Sequence, residues 1–247
     1  MTMEELTPRQ KEILARLIES HIATTTPVGS RTLAERHGLN LSPASVRNEM
    51  GILEEKGYLT HRHTSAGRLP TDQGYQFYVR EVVREEPVSS EFLNQIVQEM
   101  ERKIDDLENL MERVSSILSG RVKETALVMT PARLHVEGSR YIVAQPEFRD
   151  LEKLQLLMET LEEKSRLIHL LMDRPPQGGV RVAIGEKELS KDIWDCALVS
   201  VPYEWGGKPV GVLGVLGPRR MPYGRVIGLV HQVAEKLGEV LARRGPA

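Results

Sequence analysis

Leu41-Ser42-Pro43-Ala44-Ser45-Val46-Arg47-Asn48-Glu49-Met50 is the stretch on which the reading of this chain turns. Ser42 is a favoured N-cap residue, and Pro43 suits the first helical position, where its missing N–H costs nothing. Val46, Met50 and Leu53 then recur at helical spacing and mark a buried face. The opposite face carries Pro43, Ala44, Ser45, Arg47, Asn48 and Gly51, small residues that let a backbone approach a surface, with one arginine and one asparagine. Arginine pairs in bidentate fashion with guanine edges or phosphate, and asparagine with adenine. Gly57 stops the helix. An amphipathic helix with polar side chains on its wet face is usually only a solvated helix, so the flanks decide.

Upstream, Thr7-Pro8-Arg9-Gln10 reads as a capping box, and Ile13, Leu14, Leu17, Ile18 and Ile22 form the apolar stripe of a first helix, Pro8 to Thr24. Thr26-Pro27-Val28-Gly29 breaks the chain, and Ser30 caps a short second helix that ends at Gly38. Helix, short helix, tight connection and third helix make a helix-turn-helix, whose last helix enters a major groove. Downstream, Tyr58-Leu59-Thr60-His61 alternates like a strand, His63-Thr64-Ser65-Ala66-Gly67 is rich in turn formers, and Arg68-Leu69-Pro70 returns. That pattern is a β-wing, with Arg62 and Arg68 flanking its tip in position to hold phosphate or a narrow minor groove. The expected DNA contacts are therefore Arg31, Ser42, Ala44, Ser45, Arg47, Asn48, Arg62, His63, Thr64, Ser65 and Arg68.

Three blocks carry a resemblance. Pro27-Val28-Gly29-Ser30-Arg31-Thr32-Leu33, the Leu41–Met50 stretch and His63-Thr64-Ser65-Ala66-Gly67-Arg68-Leu69-Pro70-Thr71 resemble the HrcA family of bacterial heat-inducible transcription repressors. The likeness is dense over residues 6–84. It resumes at Gln145-Pro146-Glu147-Phe148 and runs through Leu216-Gly217-Pro218-Arg219-Arg220-Met221-Pro222-Tyr223 to the C-terminal helix. It implies a winged helix followed by a GAF-like domain, repression of chaperone operons through an inverted-repeat operator, and the GroE chaperonin as modulator. In one respect the chain departs from the pattern. Thr125–Thr130 runs almost directly into Arg140–Gln145, so the segment that typically holds part of the GAF-like sheet and an inserted dimerisation domain is missing.

The 247 residues leave room for two domains. With 28% charged and 40% hydrophobic residues the composition is that of a globular protein, and no apolar run approaches a membrane span. The acidic Glu4-Glu5 start does not resemble a signal peptide, so the expected compartment is the cytoplasm, with no membrane partner. The single cysteine, Cys196, excludes an intrachain disulfide and a cysteine-cluster metal site. Net charge is −2, and the first 80 residues hold ten basic and nine acidic side chains. Affinity for nucleic acid comes largely from phosphate neutralisation. Such a balance relies on the placement of its charges and on dimerisation to double the contacts.

Thr71-Asp72 caps a further helix in which Tyr75, Phe77 and Tyr78 read as core rather than as base-stacking aromatics, and Glu85 to Ser90 is a linker. From Ser90 to Gly120, Leu93, Val97, Met100, Ile104, Leu107, Met111, Val114 and Leu118 alternate steps of four and three, an a/d seam. Such a long connecting helix lies either against its own domain or along a second subunit. The missing insert favours the second, a homodimer contact. Beyond it, Thr125–Thr130, Leu134–Glu137, Arg140–Gln145, Val180–Gly185, Cys196–Tyr203 and Lys208–Leu216 read as strands, the last two joined at Gly206-Gly207. Leu151–Met172 and Tyr223–Arg243 read as helices. The expected fold is α+β: a winged helix-turn-helix (1–84), the linker and long helix (85–120), and a GAF-like domain (121–247) with an antiparallel sheet and helices on one side.

Catalytic chemistry is not legible. Gly211, Gly214 and Gly217 match neither a P-loop nor a dinucleotide fingerprint, His61 and His63 alternate along a strand, and Cys196 reads as a small core residue. Tyr203, Glu204 and Trp205 near Lys208 read as a hairpin tip before a pocket. No enzyme activity, cofactor or metal is expected. The function expected is a sequence-specific repressor binding double-stranded DNA. The alternative is a winged-helix regulator whose C-terminal domain senses a metabolite.

Overall fold

In the computed structural model, Thr7 caps α1 (Pro8–Thr24) through a complete capping box: Gln10 N–H donates to Thr7 Oγ1 at 3.2 Å, and Thr7 N–H donates to Gln10 Oε1 at 3.1 Å. The structure describes residues 5–36, 39–61, 67–101, 107–172, 179–185, 187–189 and 191–243, with Arg36 by its backbone alone. The chain divides into two compact units, residues 1–83 and 84–247.

In the first unit, Ile13, Leu14, Leu17 and Ile18 of α1 are fully buried with Leu33 of α2 (Ser30–Arg36) and Val46, Met50 and Leu53 of α3 (Pro43–Glu55). After α3, β1 (Leu59–Thr60) pairs antiparallel with β2 (Leu69–Pro70). Val28, in the α1–α2 connection, adds a third line to this small sheet: it exchanges two main-chain hydrogen bonds with Arg68, each 2.9 Å. A Cβ on Gly67 would lie 2.5 Å from the Val28 carbonyl carbon, so only glycine permits that approach. α4 (Asp72–Glu81) is capped by Thr71 and closes the unit. Tyr75 and Phe77 are core, as expected, while Tyr78 is only half-buried: Phe77 meets Tyr58 edge to face at 5.8 Å, and the Tyr75 hydroxyl bonds His21 Nδ1 at 2.6 Å.

The second unit is a five-stranded antiparallel sheet in the order β4-β3-β7-β6-β5. Its strands are β3 (Thr125–Met129), β4 (Leu134–Glu137), β5 (Arg181–Ile184), β6 (Cys196–Trp205) and β7 (Lys208–Pro218). The helices are α5 (Ser90–Glu101), α6 (Leu107–Val122), α7 (Ser139–Val143), α8 (Leu151–Glu162), α9 (Lys164–Met172) and α10 (Tyr223–Arg243). Leu127, Met129, Cys196, Leu198, Val212 and Leu216 form one core with residues from α7, α8 and α9. The alternate residues Ala126, Val128, Val199, Val201, Leu213 and Val215 are also buried, on the side where α6 and α10 pack. Helices therefore cover both faces of the sheet, not one as expected. The strands signal this by being apolar at nearly every position rather than at every second one.

Three further expectations are corrected. The heptad stretch does not fold as one continuous long helix. α5 and α6 run antiparallel, since Arg121 lies over the Phe92 ring at 4.4 Å and Arg113 lies 3.9 Å from Glu99. Met100, Met111, Val114 and Leu118 are fully buried inside this chain, Leu93 and Val97 are half-buried, and Leu107 is left 37% exposed. Ile104 lies outside the described residues. A helical hairpin and a coiled coil share one apolar period, and the period says that a face is buried without saying against what. Arg140–Gln145 is not a strand: the chain turns at Gly138 (φ +83°) into α7, which sinks Ile142 into the core. Leu151–Met172 is two helices, broken at Glu163 (ψ 82°).

The linker is seated on α10. Glu86 N–H donates to the Gly224 carbonyl at 3.0 Å, and Glu85 pairs with His231 at 3.0 Å. A Cβ on Gly228 would stand 1.9 Å from the Glu86 carbonyl oxygen, so this helix carries a glycine where the strap crosses it.

Glu124, immediately before β3, is 6% exposed, and its Oε2 has no hydrogen-bond partner among the described residues. Burial pushes its carboxyl up to about 8, with nearby Arg220 opposing the shift and Glu147 adding to it. From the ordinary value of 4.5 to about 8, the folded protein holds a proton that the unfolded chain has lost. Stability therefore falls as pH rises through that window and levels off above it. Glu124→Gln should flatten this dependence, as read by melting temperatures between about pH 5 and about pH 9. A parallel fall in both proteins would assign the effect elsewhere.

Candidate nucleic-acid interface

Ser42 sets the start of α3, its Oγ accepting the Ser45 N–H at 3.1 Å and lying 3.0 Å from Ser45 Oγ. Ser45 is thus half-buried and partly engaged by the cap. Around the rest of the outer face Ala44, Arg47 and Asn48 are exposed, as is Arg31 on α2. The side chains of Arg31, Arg47 and Asn48 make no hydrogen bond or ion pair to another described residue. They stand in water with their donors unspent, which is what base or phosphate recognition requires.

The acidic residues of the same helix are turned to other uses. Glu49 accepts from Gln10 Nε2 at 3.1 Å and lies 3.9 Å from Arg9, tying α3 to α1. Glu54 holds Arg68 Nε at 2.7 Å and also pairs with His61. Two of the three carboxylates on α3 are thereby neutralised by partners within the unit, which relieves their repulsion of a phosphate backbone. Glu55 is exposed near the helix's C-terminal end, away from Arg47 and Asn48.

Arg68 is the one expected contact that the structure relocates. It is not free at the wing tip: its main chain pairs with Val28, its guanidinium with Glu54, and its side chain is 22% exposed. Arg62, His63, Thr64 and Ser65 lie outside the described residues. Sequence reasoning missed Gln10, Val28, Glu49 and Glu54 as the residues that hold the reading helix and wing together. Only Val28 left a trace, as a β-branched residue between a proline and a glycine.

The second unit offers no comparable chemistry. Arg220 bonds Gln145 Oε1 at 2.7 Å and pairs with Glu147, so these motif residues clasp the chain before α8 to the turn before α10. Tyr203 is buried and donates to the Met129 carbonyl at 3.1 Å, a strand residue rather than part of a pocket or tip. Cys196 is fully buried, and burial raises its thiol far above the usual range. An open apolar cavity of about 490 Å³ lies between Met129, Ile168, Leu171, Pro202 and Val212. Its rim residue Arg133 is ion-paired with Glu108 at 2.9 Å. Among the described residues no three His, Cys, Asp or Glu side chains group to hold a metal, and no helix is long and apolar enough to cross a membrane.

A helix-turn-helix whose third helix presents unspent donors, followed by a two-stranded wing, defines a winged-helix DNA-binding transcription regulator. Comparison with known proteins agrees: residues 3–67 match the LexA DNA binding domain and residues 78–227 the HrcA protein C terminal domain. The chain belongs to the HrcA family, whose members are transcription repressors and not enzymes. It is 27% identical to the heat-inducible transcription repressor HrcA of Pelotomaculum thermopropionicum, over 97% of this chain and 98% of the relative. It is 29% identical to the one from Desulforudis audaxviator, over 95% and 98%. The first alignment runs over 343 positions against 247 residues here, so the relative carries sequence that this chain lacks, as the shortened pattern implied. A crystal structure of a hypothetical protein at 2.2 Å resolution shares the fold with a TM-score of 0.75 at 19% identity, covering 97% of this chain and 99% of that one.

Arg68→Ala should leave Glu54 with His61 alone and lower the stability of the winged helix by about 1 kcal/mol. The slope of log affinity for DNA against log salt should stay unchanged, because the lost charge is spent inside the protein. A slope reduced by about one would return Arg68 to the phosphates.

Proposed function

We propose that this protein is a sequence-specific repressor of chaperone operons in the cytoplasm, in which two copies bind an inverted-repeat operator and occlude a promoter. The observation that carries this reading is the outer face of α3, where Arg47 and Asn48 stand exposed and unengaged while Glu49 is held from behind. Ala44, Arg47 and Asn48, with Ser45 beside the cap, would read base edges, and Arg31 would fix register on phosphate. Family membership supports the heat-shock setting, and the resemblance implies the GroE chaperonin as modulator. The nearly neutral DNA-binding unit supports a dimer, since a second head raises affinity through effective concentration without new contacts.

A second reading keeps the same DNA-binding unit but gives the trigger to a metabolite. The apolar cavity beside Leu171 and Val212 is the observation in its favour. A ligand there would raise the melting temperature by mass action.

Fragments selected by the protein from genomic DNA would yield the operator. On that site Asn48→Ala should cost about 1–3 kcal/mol, and on random DNA much less, because a bidentate base contact discriminates and a phosphate contact does not. Equal losses on both would demote Asn48, and the same comparison ranks Arg47 against it. Sedimentation of the protein with one half-site and with the whole repeat gives the number of copies bound.

A further inference from the structure

Ile52 stands on the outer side of α3, one helical turn beyond Asn48, with 38% of its surface exposed. Scattered apolar residues on a surface are ordinary, and Ile52 would be one of them but for its neighbour. Gly51 sits in the interior of the same helix, where glycine is a poor helix former. Most interior approaches in this fold explain their glycines: a Cβ at Gly67, Gly74 or Gly228 would strike backbone atoms at 2.5 Å or less. At Gly51 a Cβ would meet nothing within 4 Å. No atom described in this chain asks for a glycine there. Gly120 in α6 is equally open; Gly51 differs in lying on the outer face with Arg47, Asn48 and Ile52, where it leaves the helix backbone open to an outside surface.

On the reading of α3 as the recognition helix, that outside surface is the floor of a major groove. Its edges are polar except for one group, the 5-methyl of thymine. We propose that Ile52 packs against a thymine methyl next to the base read by Asn48, and that Gly51 is bare so that the groove can approach closely enough for that contact. The three residues then divide the work. Arg47 and Asn48 supply directional hydrogen bonds, Ile52 supplies an apolar contact that distinguishes thymine from cytosine, and Gly51 sets the depth of the helix in the groove.

The test uses the full chain and the operator selected from genomic DNA, with each thymine in turn replaced by deoxyuridine, which lacks only the methyl group. Wild-type affinity should fall about fourfold at one thymine per half-site, the value of one buried methyl group. Ile52→Ala should bind the thymine operator as weakly as wild type binds the deoxyuridine one, with no further loss on replacement at that position. Gly51→Leu, a better helix former whose Cβ meets nothing within 4 Å, should melt at or above the wild-type temperature yet bind every sequence at least about tenfold more weakly. An Ile52→Ala protein that still distinguishes thymine from deoxyuridine, or a Gly51→Leu protein with wild-type affinity, overturns the assignment. Loss of discrimination by Asn48→Ala with no effect of any deoxyuridine would sink the thymine contact alone. A protein that selects no DNA at all would sink the recognition-helix reading beneath it.

Discussion

α3 can hold one face bare to the outside because its other face is clamped. Val46, Met50 and Leu53 lie in a core with α1 and α2, and each full burial of such a side chain is worth roughly 1.5–3 kcal/mol. Polar ties add direction to that non-directional force. Gln10, which completes the α1 cap, also donates to Glu49, so a single side chain links the start of one helix to the middle of another. Glu54 ties the end of α3 to Arg68 and His61 on either side of the wing. Precise presentation of a few unspent donors depends on neighbours whose own positions are fixed, and here those neighbours are carboxylates that would otherwise repel phosphate.

The wing shares that dependence. Its return strand is pinned twice, by main-chain bonds from Arg68 to Val28 and by the Arg68–Glu54 pair. Gly67 makes the first possible by having no side chain where Val28 passes. Arg68 thus orders the base of the wing. A near-neutral DNA-binding unit can still present a positive face when its acids are consumed internally, and the placement of charge matters here more than its sum.

The second unit achieves closure in a different way. A sheet with both faces covered needs helices on each side. The α5–α6 hairpin and α10 serve one side, α7 to α9 the other. Met100, Met111, Val114 and Leu118 of the apolar seam are buried within this chain. The linker lies across α10 at Gly224 and Gly228, so the chain enters this unit along a defined track. Arg220, with Gln145 and Glu147, and the buried Glu124 beside them form one polar cluster of this unit, and Asp195 with Lys153 and Arg219 another.

The sequence by itself determined whatever local chemistry decides. The capping box at Thr7, the Ser42-Pro43 start of α3, the Gly57 stop, the Thr71 cap and the Gly206-Gly207 hairpin are set by residues within a few positions of each other, and each is where local rules place it. The buried faces of α1 and α3 were legible for the same reason, since a 3.6-residue period is a local property. Only the tertiary structure decided which surface each apolar face meets. Met100, Met111, Val114 and Leu118 of the seam are buried in their own domain, Arg140–Gln145 yields to a turn at Gly138 despite its β-forming residues, and the sheet is covered on both sides. Arg68 and Glu54 are 14 positions apart, and Val28 and Arg68 are 40 apart, with no periodicity to join them. Pairings at such separations cost chain entropy that only the assembled core repays, so they are settled by the whole fold and not by any stretch of it.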